Sequence, residues 1–141
     1  MNDTEMLGCL CEDADMGRSS ARRVLKHIKD TNLSATVKEQ LDDFEHAYDS
    51  AAQMLSQKGQ NAPTSAPMAK TMAAVESEMQ TFMDSSSSKI AEMMIQGNTM
   101  GITTITKQLN DYNGEDPEVS KLSKKQIGME QRNIENLKKF L

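Results

Sequence analysis

The chain has 141 residues, 16 of them basic and 21 acidic, for a formal net charge of −5. The charges are mixed along the sequence with no coherent basic face, which argues against nucleic acid as a partner. The length suits a single domain burying roughly two thirds of its unfolded surface. Its longest apolar run is far short of a membrane span.

Apolar residues recur at three-and-four spacing almost from end to end, and no stretch alternates with a period of two, so the fold class is all-α. The first helix is expected over about residues 3–30. Asn2 or Asp3 can cap it, with Glu5 at the third position of a capping box. Its apolar stripe is Leu7, Leu10, Ala14, Gly17, Ala21, Val24 and Ile28. Cys9 and Cys11 lie roughly 200° apart around that helix and cannot share a metal, so they read as free thiols in a reducing cytoplasm. Asn2, Asp3 and Glu5 stand where a secretory leader would carry basic residues, and a cytoplasmic protein without a leader is expected.

The second helix is expected over 34–58, after a turn at Thr31-Asn32-Leu33-Ser34 with Ser34 as its cap. It carries Val37, Leu41, Phe44, Tyr48, Ala51 and Leu55 and stops at Lys58-Gly59. Residues 59–67, with two prolines, form a loop. A Met-rich helix follows at 68–83, and the chain holds twelve methionines against three Phe, two Tyr and no Trp. Such an interior is adaptable, suiting a dimer surface or small apolar ligands between the helices. The four consecutive serines at 85–88 favour caps over helix interior, with Asp84 or Ser85 as the junction. The apolar phase nevertheless runs through them, so 68–112 can also be read as one long helix that would demand a dimer.

With the break, the next helix spans 86–112, its stripe read as Ile90, Met93, Gly97 and Met100. Gly97 and Gly101, spaced Gly-x-x-x-Gly, invite a close helix contact. Asn113-Gly114-Glu115-Asp116-Pro117 is a turn. The last helix runs over 117–140 through Val119, Leu122, Ile127, Ile134, Leu137 and Phe140. Its lysine-rich stretch 121–125 reads as a solvated face, and His27 as a surface cation near the end of the first helix.

Two long antiparallel helices, a connection long enough to cross the bundle and two more antiparallel helices resemble the ferritin-like superfamily. The segment Ile90-Ala91-Glu92-Met93-Met94-Ile95-Gln96-Gly97-Asn98-Thr99-Met100-Gly101-Ile102 is similar to that of small bacterial proteins with this fold. The resemblance implies an up-down-down-up four-helix bundle with a short extra helix in the crossover. In members that bind two metals, each helix supplies a carboxylate and two carry Glu-x-x-His. The corresponding set here would be Asp15, Asp43 with His46, Glu92 and Glu130, for iron or manganese. It departs from the pattern, with Asp for Glu in two places and Asn133 where the second His should stand.

Facing weighs against that set. His46 falls opposite Phe44, Tyr48 and Leu55, Asp15 and Asp43 lie about 120° from their stripes, and Glu92 points away from its own. Gln126, Glu130 and Asn133 instead face the core side of the last helix. A buried carboxyl needs a partner or a proton, so Glu130 is expected to be paired or to have a raised pKa. By facing, the candidates are Arg18, Arg22, Tyr48 and Gln40. The expected function is that of a non-catalytic helical bundle without cofactor, acting through protein partners or self-association as a homodimer or other homo-oligomer; the alternative is a degenerate iron or manganese carboxylate centre.

Overall fold

The computed structural model describes residues 1–63 and 86–141, which form four helices: α1 Asp3–Leu25, α2 Thr31–Gln57, α3 Ser87–Asp111 and α4 Pro117–Lys138. There is no strand among the described residues. The Met-rich segment expected at 68–83 lies outside them.

Each helix begins where a short polar side chain can meet orphan N–H groups. Asn2 caps α1 in a full capping box, its Oδ1 accepting from Glu5 N at 2.9 Å while Asn2 N donates to Glu5 Oε2 at 2.9 Å. Asp30, not Ser34, caps α2, accepting from Asn32 N at 2.8 Å and Leu33 N at 3.1 Å. A helix start at Thr31 leaves Ser34 inside the first turn, and α1 correspondingly stops at Leu25 rather than near residue 30. Ser86, extended at φ −61° and ψ 152°, caps α3, so that helix starts afresh within the serine run. The cap is one residue beyond the expected junction. Asp116 caps α4 with Pro117 in its first turn.

The end of α2 closes in a Schellman motif: Gln60 N donates to Leu55 O at 2.9 Å and Gly59 N to Ser56 O at 3.0 Å. Gly59 takes φ +77°, a conformation a side chain would strain. Helices α3 and α4 stop at Asp111 and Lys138, one and two residues short of their expected ends.

Two apolar clusters fix the helix directions. At one end meet Leu7 and Leu10 of α1, Ala51 and Leu55 of α2, Ile105 of α3 and Val119 of α4. At the other meet Ala21 and Val24, Leu33 and Val37, Ile90 and Met94, and Leu137. Thus α1 and α4 run one way and α2 and α3 the other. The C-terminal end of α2 and the N-terminal end of α3 lie at opposite ends of the four-helix core. Helix α1 packs most extensively on α2, and α3 on α4, while α1 also faces α3 and α2 faces α4.

The α1–α2 approach is set by Phe44, whose ring lies where a Gly17 side chain would be. A Cβ there would stand 2.5 Å from Phe44 Cδ1 and 2.6 Å from Cζ. Gly17→Ala should therefore destabilise the protein by about 1–3 kcal/mol despite better helix propensity, through forced displacement of the ring. Denaturant unfolding of the variant checks this, and an unchanged or raised midpoint would contradict the packing described.

Candidate functional site

Between its two apolar ends the core carries a polar layer to which all four helices contribute. The side chains of Gln40, Asn98, Gln126, Glu130 and Asn133 are each at most 3 % exposed. On one side of the layer Asn133 Nδ2 donates to Asn98 Oδ1 at 3.1 Å, and Asn98 Nδ2 donates to Met94 O at 2.8 Å. Gln40 Nε2 reaches across from α2 to Asn133 O at 3.3 Å. On the other side Gln126 Nε2 donates to Asp13 Oδ2 at 2.8 Å and to Leu10 O at 3.1 Å. Asp13 in turn is hydrogen-bonded to Glu130.

Asp13 and Glu130 thus form a carboxyl–carboxyl pair. Two ionised carboxylates in contact would repel strongly in a dry layer, so one holds a proton. Burial, then the charge of Asp13, then the hydrogen bond to it push the Glu130 pKa up to about 10. Asp13 is also raised by burial, while accepting hydrogen bonds from Glu130 and Gln126 draws it back down. Glu130 is the neutral donor and Asp13 the acceptor.

Helix α3 makes room for the pair by carrying Gly101. A Cβ there would stand 2.5 Å from Asp13 Oδ1 and 2.8 Å from Glu130 Cδ. Gly101 therefore does approach another element closely, but what it meets is an acid pair rather than a helix backbone. Gly97, one turn earlier, has nothing within 4 Å of a built Cβ. The close contact expected of the Gly-x-x-x-Gly pair therefore forms at Gly101 alone, and both glycines border a space.

That space is a cavity of about 340 Å³ between α1 and α3. Met16, Val24, Phe44, Met93 and Met94 supply apolar walls, and Asp13, Gln108 and Glu130 polar ones. The buried row of α3 is Ile90, Ala91, Met94, Asn98, Gly101 and Ile105. The stripe read from sequence was one residue out of phase, because Met93 and Met100 count as apolar yet sit at the cavity, where Met100 is 60 % exposed.

The other residues singled out by sequence lie elsewhere. Arg18 does not serve Glu130. It binds Asp15 one turn back, at 2.7 Å, and stacks 3.8 Å over the Tyr48 ring. Neither Arg18 nor Tyr48 therefore belongs to the polar layer around Glu130. Arg22 pairs with Glu45 at 2.5 Å. Glu92 is exposed, 3.4 Å from Lys89, and Asp43 and His46 are exposed on α2. Asp15, Asp43, His46, Glu92 and Glu130 are not brought together, and no group of three or more His, Cys, Asp or Glu suited to a metal ion occurs among the described residues. Asp13 and Asn98 were missed. Asp13 sits between Leu10 and Gly17 on the edge of the α1 stripe, a spacing that could have marked it as core-facing.

Gly101→Ala should cost about 1–3 kcal/mol by prising the acid pair apart, whereas Gly97→Ala should stabilise by up to about 1 kcal/mol through helix propensity alone; thermal unfolding of the two variants side by side checks the contrast. Because the folded-state pKa of Glu130 lies above its unfolded value, its contribution is complete below pH 4.5 and is lost as pH rises toward about 10. Unfolding free energy should fall across that window with a slope from this group of at most about 1.4 kcal/mol per pH unit, and Glu130→Gln should flatten it. Urea titrations between pH 5.5 and 8.5 read this directly, and equal slopes in both proteins would refute the shared proton. No protein-family model matches the chain, nor does any curated protein or solved structure.

Proposed function

We propose that the chain is a non-catalytic binding protein on a ferritin-like frame, and that the cavity between α1 and α3 is its ligand site. The observation that carries this reading is the coincidence of an apolar, methionine-lined cavity with a carboxyl pair in its wall, Glu130 buried and Asp13 half-buried. Ligand sites are typically concave and mostly apolar, of about 300–1,000 Å³, with a few convergent polar groups, and strongly shifted pKa values concentrate at such places. Methionine walls adjust their shape to an occupant at little cost.

The ferritin-like assignment is supported by the helix directions. Two antiparallel pairs whose junction begins at one end and finishes at the other are what a crossover between the second and third helices requires. Several features favour binding over catalysis. Burial, reinforced by the charge of Glu12, pushes the thiols of Cys9 and Cys11 up to about 11 and about 12, so both are protonated and poor nucleophiles at neutral pH. His27 and His46 are exposed and do not line the cavity. An iron or manganese centre has less support, since Asp43 and Glu92 are exposed on separate helices, Asp15 is held by Arg18 and Glu130 is hydrogen-bonded to Asp13.

Titration of the full chain with the neutral fluorophore N-phenyl-1-naphthylamine tests the proposal. Fluorescence should rise and saturate near one probe per chain. Gly97→Phe, which places a ring in open space at the cavity, should weaken binding tenfold or more while leaving helicity by circular dichroism unchanged. An unsaturable response from the unaltered protein would overturn the reading.

A further inference from the structure

The cavity is chemically one-sided. Its carboxyl-bearing lining side chains are Glu12, Asp13 and Glu130, and no Lys, Arg or His lines it among the described residues. The polar atoms left without partners share the same character. Among the described residues the buried side-chain atoms lacking a hydrogen bond are Gln40 Oε1, Gln108 Oε1, Gln126 Oε1 and Glu130 Oε2, every one an acceptor. Two of the residues that carry them, Gln108 and Glu130, also line the cavity, where a turn of the side chain would bring the covered oxygen to an occupant, and Gln126 is bonded to Asp13 beside it. Glu130 is only 2 % exposed, so water at the surface does not relieve its free oxygen.

An unmet buried acceptor is costly, and the economical remedy is a ligand that brings several donors on one small atom. A carboxylate or phosphate would meet three acids and no cation. A hydroxyl offers one donor. A primary ammonium offers three donors and the complementary charge. The apolar walls formed by Met16, Val24, Phe44, Met93 and Met94 then call for a hydrocarbon body behind the ammonium head.

We infer that this cavity is a site for a small primary amine, its ammonium held by Asp13, Glu130 and Gln108 and its hydrocarbon portion among the methionines. The inference rests on the binding function proposed above and specifies its ligand class. Proton accounting follows from the geometry. The amine enters as its ammonium, the Glu130 carboxylic acid gives its proton to solvent, and the resulting carboxylate and Asp13 both accept from the ammonium. No bond to carbon changes and nothing is oxidised or reduced.

Isothermal titration of the full chain at pH 7.5 with n-hexylamine, 1-hexanol and hexanoate tests it. Hexylamine should bind at least tenfold more tightly than hexanol, and hexanoate should not bind. Repeating the hexylamine titration in phosphate and in Tris should show a heat difference that reports net proton release. Asp13→Asn should bring the hexylamine-to-hexanol affinity ratio toward one. Gln108→Leu, at a half-buried position that does not threaten folding, should lower the same ratio several-fold. If hexanol binds as tightly as hexylamine while the fluorophore still saturates, the amine assignment fails and the binding function stands. If neither the fluorophore nor any of the three compounds binds, both fail. Tight binding of manganese(II) alone, in competition with hexylamine, would overturn the amine site in favour of a metal one.

Discussion

Two carboxyl groups from different helices share one proton at the waist of this bundle, and most of the surrounding structure follows from accommodating them. A carboxylate pair separated by a few ångströms would carry a repulsion of about 4 kcal/mol even at an effective dielectric of 20. Retaining a proton on Glu130 turns that repulsion into a hydrogen bond to Asp13. The pair still has volume, and α3 yields it by presenting Gly101 at the crossing. Beside that crossing α1 and α3 enclose a cavity, while toward both ends they pack side chain to side chain in the apolar clusters.

The polar layer also divides the core into two apolar halves, one around Leu10 and Ile105, the other around Val24 and Met94. Apolar halves of this kind are tolerant of sliding, since leucine and methionine pack acceptably in several registers. Directional bonds are less tolerant. Asn133 to Asn98, Gln40 to the Asn133 carbonyl, and Gln126 to both Asp13 and the Leu10 carbonyl tie α4 to each of the other three helices at single positions. Slipping α4 by one residue would break all of these together and leave buried amides unpaired, each at a cost of about 1–3 kcal/mol. The layer thus serves alignment as well as the cavity.

Helix ends were largely legible in the sequence because caps are local chemistry. Asn2 with Glu5, Lys58 with Gly59, and Asp116 before Pro117 act within a few residues of themselves. The start of α2 was misplaced because Asp30 and Ser34 are both competent caps, and the earlier one wins by extending the helix. Facing within one helix was legible too, which is why Gln126, Glu130 and Asn133 stood out as buried. What lies opposite them was not. A helical wheel shows which side of α4 turns inward but not which residue of α1 arrives there. Arg18 looked eligible, yet Asp15 one turn away claims its guanidinium at a fraction of the desolvation that reaching Glu130 would demand. Methionine caused the remaining error, because hydropathy does not distinguish a core position on α3 from the rim of a cavity.

A proton on Glu130 also sets a threshold for any cation that would replace it. With the pKa near 10, removing that proton at pH 7.5 costs about 3 kcal/mol. A bare ion must recover this from the polar groups of Asp13, Glu130 and Gln108 alone, after shedding its own tightly held water. A cation attached to a hydrocarbon has a second source, since each buried methylene contributes about 0.8 kcal/mol. Four such groups against Met16, Phe44, Met93 and Met94 offset the proton, leaving the ammonium's hydrogen bonds as net gain. The cavity and the acid pair are therefore energetically complementary: the acids disfavour an occupant without an apolar body, and the apolar walls give little discrimination without the acids.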